Sequence, residues 1–186
     1  MSSTPAVVPP AATYMIEPAH SSAHFKVRHL MIANVRGEFS KISGTVKIDP
    51  SNPAATSITA EIPVDSINTR EPDRDKHLKS ADFFDAANHP TMKFESKKVE
   101  TDGPEGFKVT GDLTIRGVAH EVVLNVIGPT PEIKDPWGYT RRGAEGTAKI
   151  SRKDFGLSYN QALETGGVVI GDAIEISLEV ELVKTA

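Results

Sequence analysis

The stretch Ile174-Glu175-Ile176-Ser177-Leu178-Glu179-Val180-Glu181-Leu182 alternates apolar and polar residues without a break. Successive side chains of a β-strand point to opposite faces, so this segment has one oily face and one wetted face. Phe107, Val109, Leu113 and Ile115 repeat the pattern against Lys108, Thr110, Asp112 and Arg116. Working outward, Tyr14–Ile16, Ser22–Leu30, Gly37–Ile48, Ile58–Ile67, Thr91–Glu100, Phe107–Arg116, Glu121–Ile127 and Glu145–Ile150 also have strand character. These make about eight strands, with Ala173–Val183 as a ninth. The separators Asp49-Pro50-Ser51-Asn52-Pro53, Thr101–Gly106 and Arg116-Gly117-Val118 are rich in turn formers, and the last two are short enough for hairpins. One-faced antiparallel strands must close on a second layer or on themselves, which predicts an all-β barrel or sandwich.

Two irregularities interrupt the alternation. Val35 and Phe39 share one parity while Ile42, Val46 and Ile48 share the other. A bulge near Ser40–Lys41 reconciles them by adding one residue. Pro63 has no N–H to give to a ladder, so it marks an edge or a bulge. A long insertion, Asn68 to Pro90, lacks the β pattern. Its helix-friendly residues Arg74–Lys79, and Ser80 ahead of Asp82-Phe83-Phe84-Asp85, predict one or two short helices within Asp73–Asp85. These would lie across a barrel mouth with Leu78, Phe83 and Phe84 facing inward. A second break, Ser151 to Leu157, predicts one helical turn that includes Phe155.

The chain has 186 residues, enough for one domain with a full core, and we place its boundaries at 14–186 behind a disordered tail, 1–13. A net charge of −4 and an aromatic content of 6% argue against nucleic acid as a partner. There is no cysteine, which removes disulfides, thiolate nucleophiles and cysteine metal ligands. No apolar run is long enough for a membrane helix, so the chain is not expected to span a bilayer by one. Met1 to Thr13 has no basic start, and Pro5, Pro9 and Pro10 break its apolar runs. It therefore does not read as a secretory signal, and a cytoplasmic location is expected.

No catalytic constellation emerges. In an extended segment His24 shares its phase with Lys26 and Arg28, whereas His29 shares its phase with Phe25 and Val27 and faces inward. With His20 they do not converge on a metal, and no metal or cofactor is assigned. His120-Glu121-Val122-Val123-Leu124 has Leu124 where a zinc-protease motif needs its second histidine. Gly156-Leu157-Ser158-Tyr159-Asn160 lacks the closing glycine of a nucleophile elbow. Gly166-Gly167 precedes a strand-like segment rather than a phosphate-binding helix.

Glu17-Pro18-Ala19-His20-Ser21, Phe25-Lys26-Val27-Arg28-His29-Leu30 and Val35-Arg36-Gly37-Glu38-Phe39 open a series of motifs. It continues through Arg74–Asp85, His89–Ser96, Gly111–Val118 and Arg152-Lys153-Asp154-Phe155-Gly156. In order and spacing, over Tyr14 to Val183, the series resembles the YceI family of bacterial lipid-binding proteins. The resemblance implies a lipocalin-like, extended antiparallel β-barrel with an apolar tunnel for polyisoprenoids or isoprenoid quinone-like lipids, and no catalysis. It also offers the periplasm as the alternative location, and Glu17 stands where an aspartate is common in the family.

The alternation and the resemblance together give a ligand-facing set. Phe25, Val27, Phe39, Ile62, Val64, Met92, Phe94, Leu113 and Ile115 come from inward phases, and Phe83, Phe84 and Phe155 from the breaks. Small inward residues, Ala60, Ser66, Ser96 and Gly111, leave room among them. His29, Arg74, His77 and Trp137 offer polar tips beside apolar surface and are placed near the openings. The expected function is non-enzymatic binding, transport or sequestration of a long-chain isoprenoid-type lipid. A haem- or metal-binding barrel and a packed interaction scaffold stay open as alternatives, as does a homodimer.

Overall fold

The computed structural model describes residues 7–164 and 166–185. The expected tail lies partly outside these residues. Among the described residues, twelve strands and one α-helix follow in chain order: β1 (Ala12–Ile16), β2 (Ser22–His29), β3 (Ala33–Phe39), β4 (Ser43–Ile48), β5 (Ser57–Pro63), β6 (Ile67–Asn68), α1 (Pro72–Lys79), β7 (Thr91–Thr101), β8 (Gly106–Ile115), β9 (Val118–Ile127), β10 (Ile133–Lys134), β11 (Thr140–Ser151) and β12 (Ile170–Lys184). The opening alternation belongs to β12, which is the seam of the molecule. Along one side β12 pairs with β11 from Arg141↔Val183 to Ser151↔Ala173. Along the other it takes β1 near its C-terminal end and β2 near its N-terminal end.

From there the circuit passes through β1 to β4 and β2 to β3, then β4 to β5 and β3 to β6. It returns through β5–β7, β7–β8, β8–β9 and β9–β11. Every pairing is antiparallel. The pairs β1/β2, β3/β4 and β5/β6 are therefore long staves broken by kinks, and eight staves close a barrel with no open edge along the seam.

Each kink has a local cause. The parity change after Phe39 is real: the strand stops, Ser40 N–H donates to Ser66 O, and pairing resumes at Ser43 with Ile42 buried. The bulge expected there is a full break of the stave. Pro63 ends β5, and a helical turn, Val64–Ser66, follows before β6. Within that turn Val64 is buried in the core with Phe39 and Met92, without lining the open tunnel. A turn at Pro18–His20 separates β1 from β2, and the Glu17 carboxylate caps it by accepting from the His20 N–H.

The hairpin at Arg116-Gly117 has both residues at positive φ (51° and 73°), the twist-matched form for a two-residue connection. Of the long insertion, Pro72–Lys79 is helical, while residues 80–89 form hydrogen-bonded turns. The helical turn expected in the second break spans Arg152–Phe155 and ends at Gly156, whose φ of 77° suits a residue without a Cβ. β10 was not expected from the sequence. Two residues long and exposed, it has no alternation to read.

Candidate functional site

The inward residues of the eight staves enclose an apolar tunnel of about 300 Å³. Its lining runs along β12 from Ile170 to Leu182, twelve residue steps. At roughly 3.3 Å per step and a barrel tilt near 40°, that is about 30 Å along the axis. The lining is apolar almost throughout, with Thr56, Glu145 and Arg152 among the few polar residues.

One end is sealed. Phe39 packs between Phe25 (tilted) and Phe84 (edge to face), with ring centroids 5.7 Å apart in both cases. Phe83, Tyr159 and His77 form a second aromatic group at 5.0–5.1 Å beside α1. Behind these rings lies Arg152, only 5% exposed. Its Nε donates to Gly171 O (2.9 Å), and one terminal nitrogen donates to Leu157 O (2.6 Å) and Tyr159 O (2.8 Å). The other terminal nitrogen reaches Ile170 O at 3.4 Å and faces Asp172 at 3.6 Å. Burial pulls the Arg152 guanidinium below its ordinary range, and Asp172 opposes that pull. The four hydrogen bonds of Arg152 all go to backbone carbonyls, and Asp172 at 3.6 Å adds charge without a hydrogen bond, so the guanidinium is committed to the protein rather than to a ligand's head group.

The other end is open. There the tunnel runs into a mouth of about 1180 Å³, with Ile48, Thr56, Phe107, Pro129, Ala144 and Val180 shared between the two. Asp49, Glu105, Glu145, Glu179 and Glu181 line the mouth against Arg141, Arg142 and His20. Arg141 is held by Asp135 (2.6 Å) and by Glu181, and Arg142 Nε donates to Thr130 O (2.7 Å). The Asp135 carboxylate, although burial works against it, is held below the ordinary range by Arg141 and by the N–H groups of Tyr139 and Trp137. Nearby, burial and the bond to Glu132 (2.5 Å) raise the Tyr14 hydroxyl, and Tyr14 and then Lys184 lower Glu132.

What keeps the lumen open is a run of small residues on β11. Ala144, Gly146 and Ala148 share the inward phase with Ile150, and all four line the tunnel. A Cβ on Gly146 would meet only ordinary contacts, the nearest at 3.6 Å to Leu178. The sequence reading passed over this run, although its alternation with Glu145, Thr147 and Lys149 was available to it. Gly111, expected to leave room, does not: a Cβ there would sit 2.6 Å from Phe94 Cζ. Gly37 does the same for Phe25, at 2.4 Å. These glycines let the rings lie flat against the wall instead of across the lumen.

Of the residues singled out from the sequence, Phe25, Val27 and Phe39 line the tunnel from β2 and β3. Ile62, Met92, Phe94, Leu113 and Ile115 do so from β5, β7 and β8, and Phe83, Phe84 and Phe155 near the sealed end. Val64, Arg74, His77, His29 and Trp137 lie outside the lining. Val64 is fully buried in the core beside Phe39 and Met92, and Arg74 is spent on Thr69 (2.8 and 2.6 Å). His77 bonds Asp82 at 2.8 Å on the outer side of α1. His29 ends β2 opposite Ile170, half-buried at the last rung of the ladder. Trp137 projects from the β10–β11 hairpin, 78% exposed.

Glu17, His20 and Glu181 bring three metal-type ligand atoms within 4.8 Å of one another. They are already satisfied: Glu17 accepts from the His20 ring (2.7 Å) and backbone (2.9 Å), and Glu181 from Arg141. No described helix is long and apolar enough to cross a membrane.

Residues 14–182 match the model of the YceI-like domain. A UPF0312 protein of Vibrio cholerae is 40% identical over 151 residues, covering 79% of this chain and 78% of its own. One of Staphylococcus aureus is 36% identical over 168 residues, covering 90% and 95%. Among solved structures, a Campylobacter jejuni YceI protein superposes with a TM-score of 0.71 at 34% identity, over 87% of this chain and 91% of its own. A polyisoprenoid binding domain from Saccharophagus degradans shares the fold alone, with a TM-score of 0.65 at 16% identity over 94% and 99%.

Proposed function

Since the chain belongs to the YceI-like family, we propose that it binds one long-chain isoprenoid-type lipid in its barrel and carries or sequesters it without chemistry of its own. The observation that carries this reading is the tunnel: apolar along its length, sealed at one end and open at the other. The polyisoprenoid binding described for the Saccharophagus domain of the same fold supports it. So does the placement of charge. The sealed end spends its buried cation on backbone carbonyls, so the tail is the part that enters and the head group stays at the mouth.

Removing an alkyl or prenyl tail from water is worth about 0.8 kcal/mol gross per CH₂. Sixteen carbons then give on the order of 13 kcal/mol before ordering and association costs take back much of it. Tail burial alone is enough for tight retention. Native mass spectrometry of freshly purified protein, followed by organic extraction, tests the reading. A prenyl or long-chain species near one per chain is the expected result. A bare mass that persists after incubation with isoprenoid quinones and prenyl phosphates would make the barrel a packed scaffold. A Soret band or bound metal would hand it to haem or a metal ion.

A further inference from the structure

Four large apolar side chains stand exposed on the rim of the open mouth. They are Ile127 (62%) at the end of β9, Ile133 (63%) on β10, and Trp137 (78%) and Tyr139 (55%) on the hairpin that joins β10 to β11. Ile127 and Ile133 also line the mouth itself, so the exposed surface is continuous with the way into the tunnel. We propose that this rim is a bilayer-docking lip, which seats the open mouth against an uncharged lipid surface. The inference rests on the lipid-carrier reading and adds how the cargo reaches the barrel without crossing water.

The hairpin is built as a rigid platform. Asp135 Oδ1 accepts from the N–H groups of Trp137 and Tyr139, both at 2.9 Å, and Asp135 Oδ2 accepts from Arg141 at 2.6 Å. Asp135 N–H donates to Tyr139 O (2.9 Å), closing the turn, and Gly138 takes the φ of 91° it requires. Tyr139 has the Arg141 guanidinium over its ring, 5.8 Å from the centroid, yet both rings stay more than half exposed, and an ordered turn gains little by holding that much apolar surface in water. Both rings are amphipathic, with a large apolar body and a polar tip, which suits the interface of a bilayer.

Charge selects the kind of surface. Acidic residues outnumber arginines around the mouth, and Arg141 and Arg142 are bonded internally. An anionic membrane gains nothing here, so docking depends on apolar insertion and is insensitive to salt. A second exposed apolar group, Leu30, Met31 and Ile32 at the tip of the β2–β3 hairpin, stands at the sealed end. A bilayer seated there meets no opening.

Trp137 is the single tryptophan of the chain, so its emission reports on the lip alone. With phosphatidylcholine vesicles we expect a blue shift, quenching by acyl-brominated phosphatidylcholine, and a partition coefficient unchanged between low and high salt. Tyr139→Ser lowers that coefficient about tenfold, the scale of one large apolar side chain. Ile32→Ser at the sealed end leaves it unchanged. Unaltered emission overturns the proposal, and so does binding confined to anionic vesicles and released by salt. A blue shift on concentrating the protein without vesicles also overturns it, assigning the rim to a second copy. Bound lipid is read separately by native mass spectrometry. Its absence sinks the carrier reading, whereas retained lipid with a silent Trp137 sinks only the lip.

Discussion

Replacing Gly146 by phenylalanine separates a tunnel from a packed core. Gly146 lies midway along the small inward run of β11, and a Cβ there contacts nothing closer than 3.6 Å. The backbone therefore accepts the substitution, and the benzyl group has nowhere to go but the lumen. A side chain of that size displaces about four methylenes of a threaded tail, each worth about 0.8 kcal/mol. The loss is about 3 kcal/mol, or roughly a hundredfold in affinity. Stability of the lipid-free protein moves independently of this. Filling an open lumen costs no contacts and relieves the strand of a flexible glycine, so the urea midpoint stays level or rises. Overpacking a filled core costs about 1–3 kcal/mol. The assay is a titration of delipidated wild type and Gly146→Phe with a fluorescent prenyl probe, alongside urea melts of both. Wild-type affinity in the variant, or a melt lowered by 1–3 kcal/mol, would refute the reasoning.

Arg152→Met leaves the carbonyls of Leu157, Tyr159 and Gly171 without their donor, and Asp172 with Lys153 alone. We expect a loss of about 3–5 kcal/mol in chemical denaturation and early proteolysis between residues 157 and 171, with Arg152→Lys only partly restoring either. The Tyr14–Glu132 pair gives the barrel a pH window. Glu132 is depressed below its ordinary 4.5, so its contribution is present above that value and lost as pH falls through the folded pKa. Tyr14 is raised above its ordinary 10.0, so its contribution is complete below that value and lost as pH rises past the folded pKa. Thermal melts across pH should show Glu132→Gln flattening the acid limb, and an unchanged limb would deny the coupling.

The tunnel lining was legible because parity along a strand is a local property. Phe25, Phe94, Leu113 and Ile115 could be placed from neighbouring residues alone, and so could the breaks after Phe39 and Pro63. Parity says less where the chain leaves the ladder: Val64, just past Pro63, is buried in one cluster with Phe39, Met92 and Phe155 but does not itself line the open tunnel. The polar candidates divide. Trp137 stands on the rim of the open mouth, where a polar tip beside apolar surface had suggested an opening, whereas Arg74 and His77, chosen on the same ground, are occupied by Thr69 and Asp82, partners set by loop geometry.

By itself, then, the sequence determined an all-β chain, its one-faced strands, its turns and its apolar inner set, because alternation and turn chemistry act over a few residues. Tertiary structure alone decided that eight staves close, which end is sealed, and that Gly37 and Gly111 make room for rings while Ala144, Gly146 and Ala148 make room for a ligand. Those outcomes depend on register between strands far apart in the chain. A glycine's empty space is taken by whichever side chain the register brings beside it.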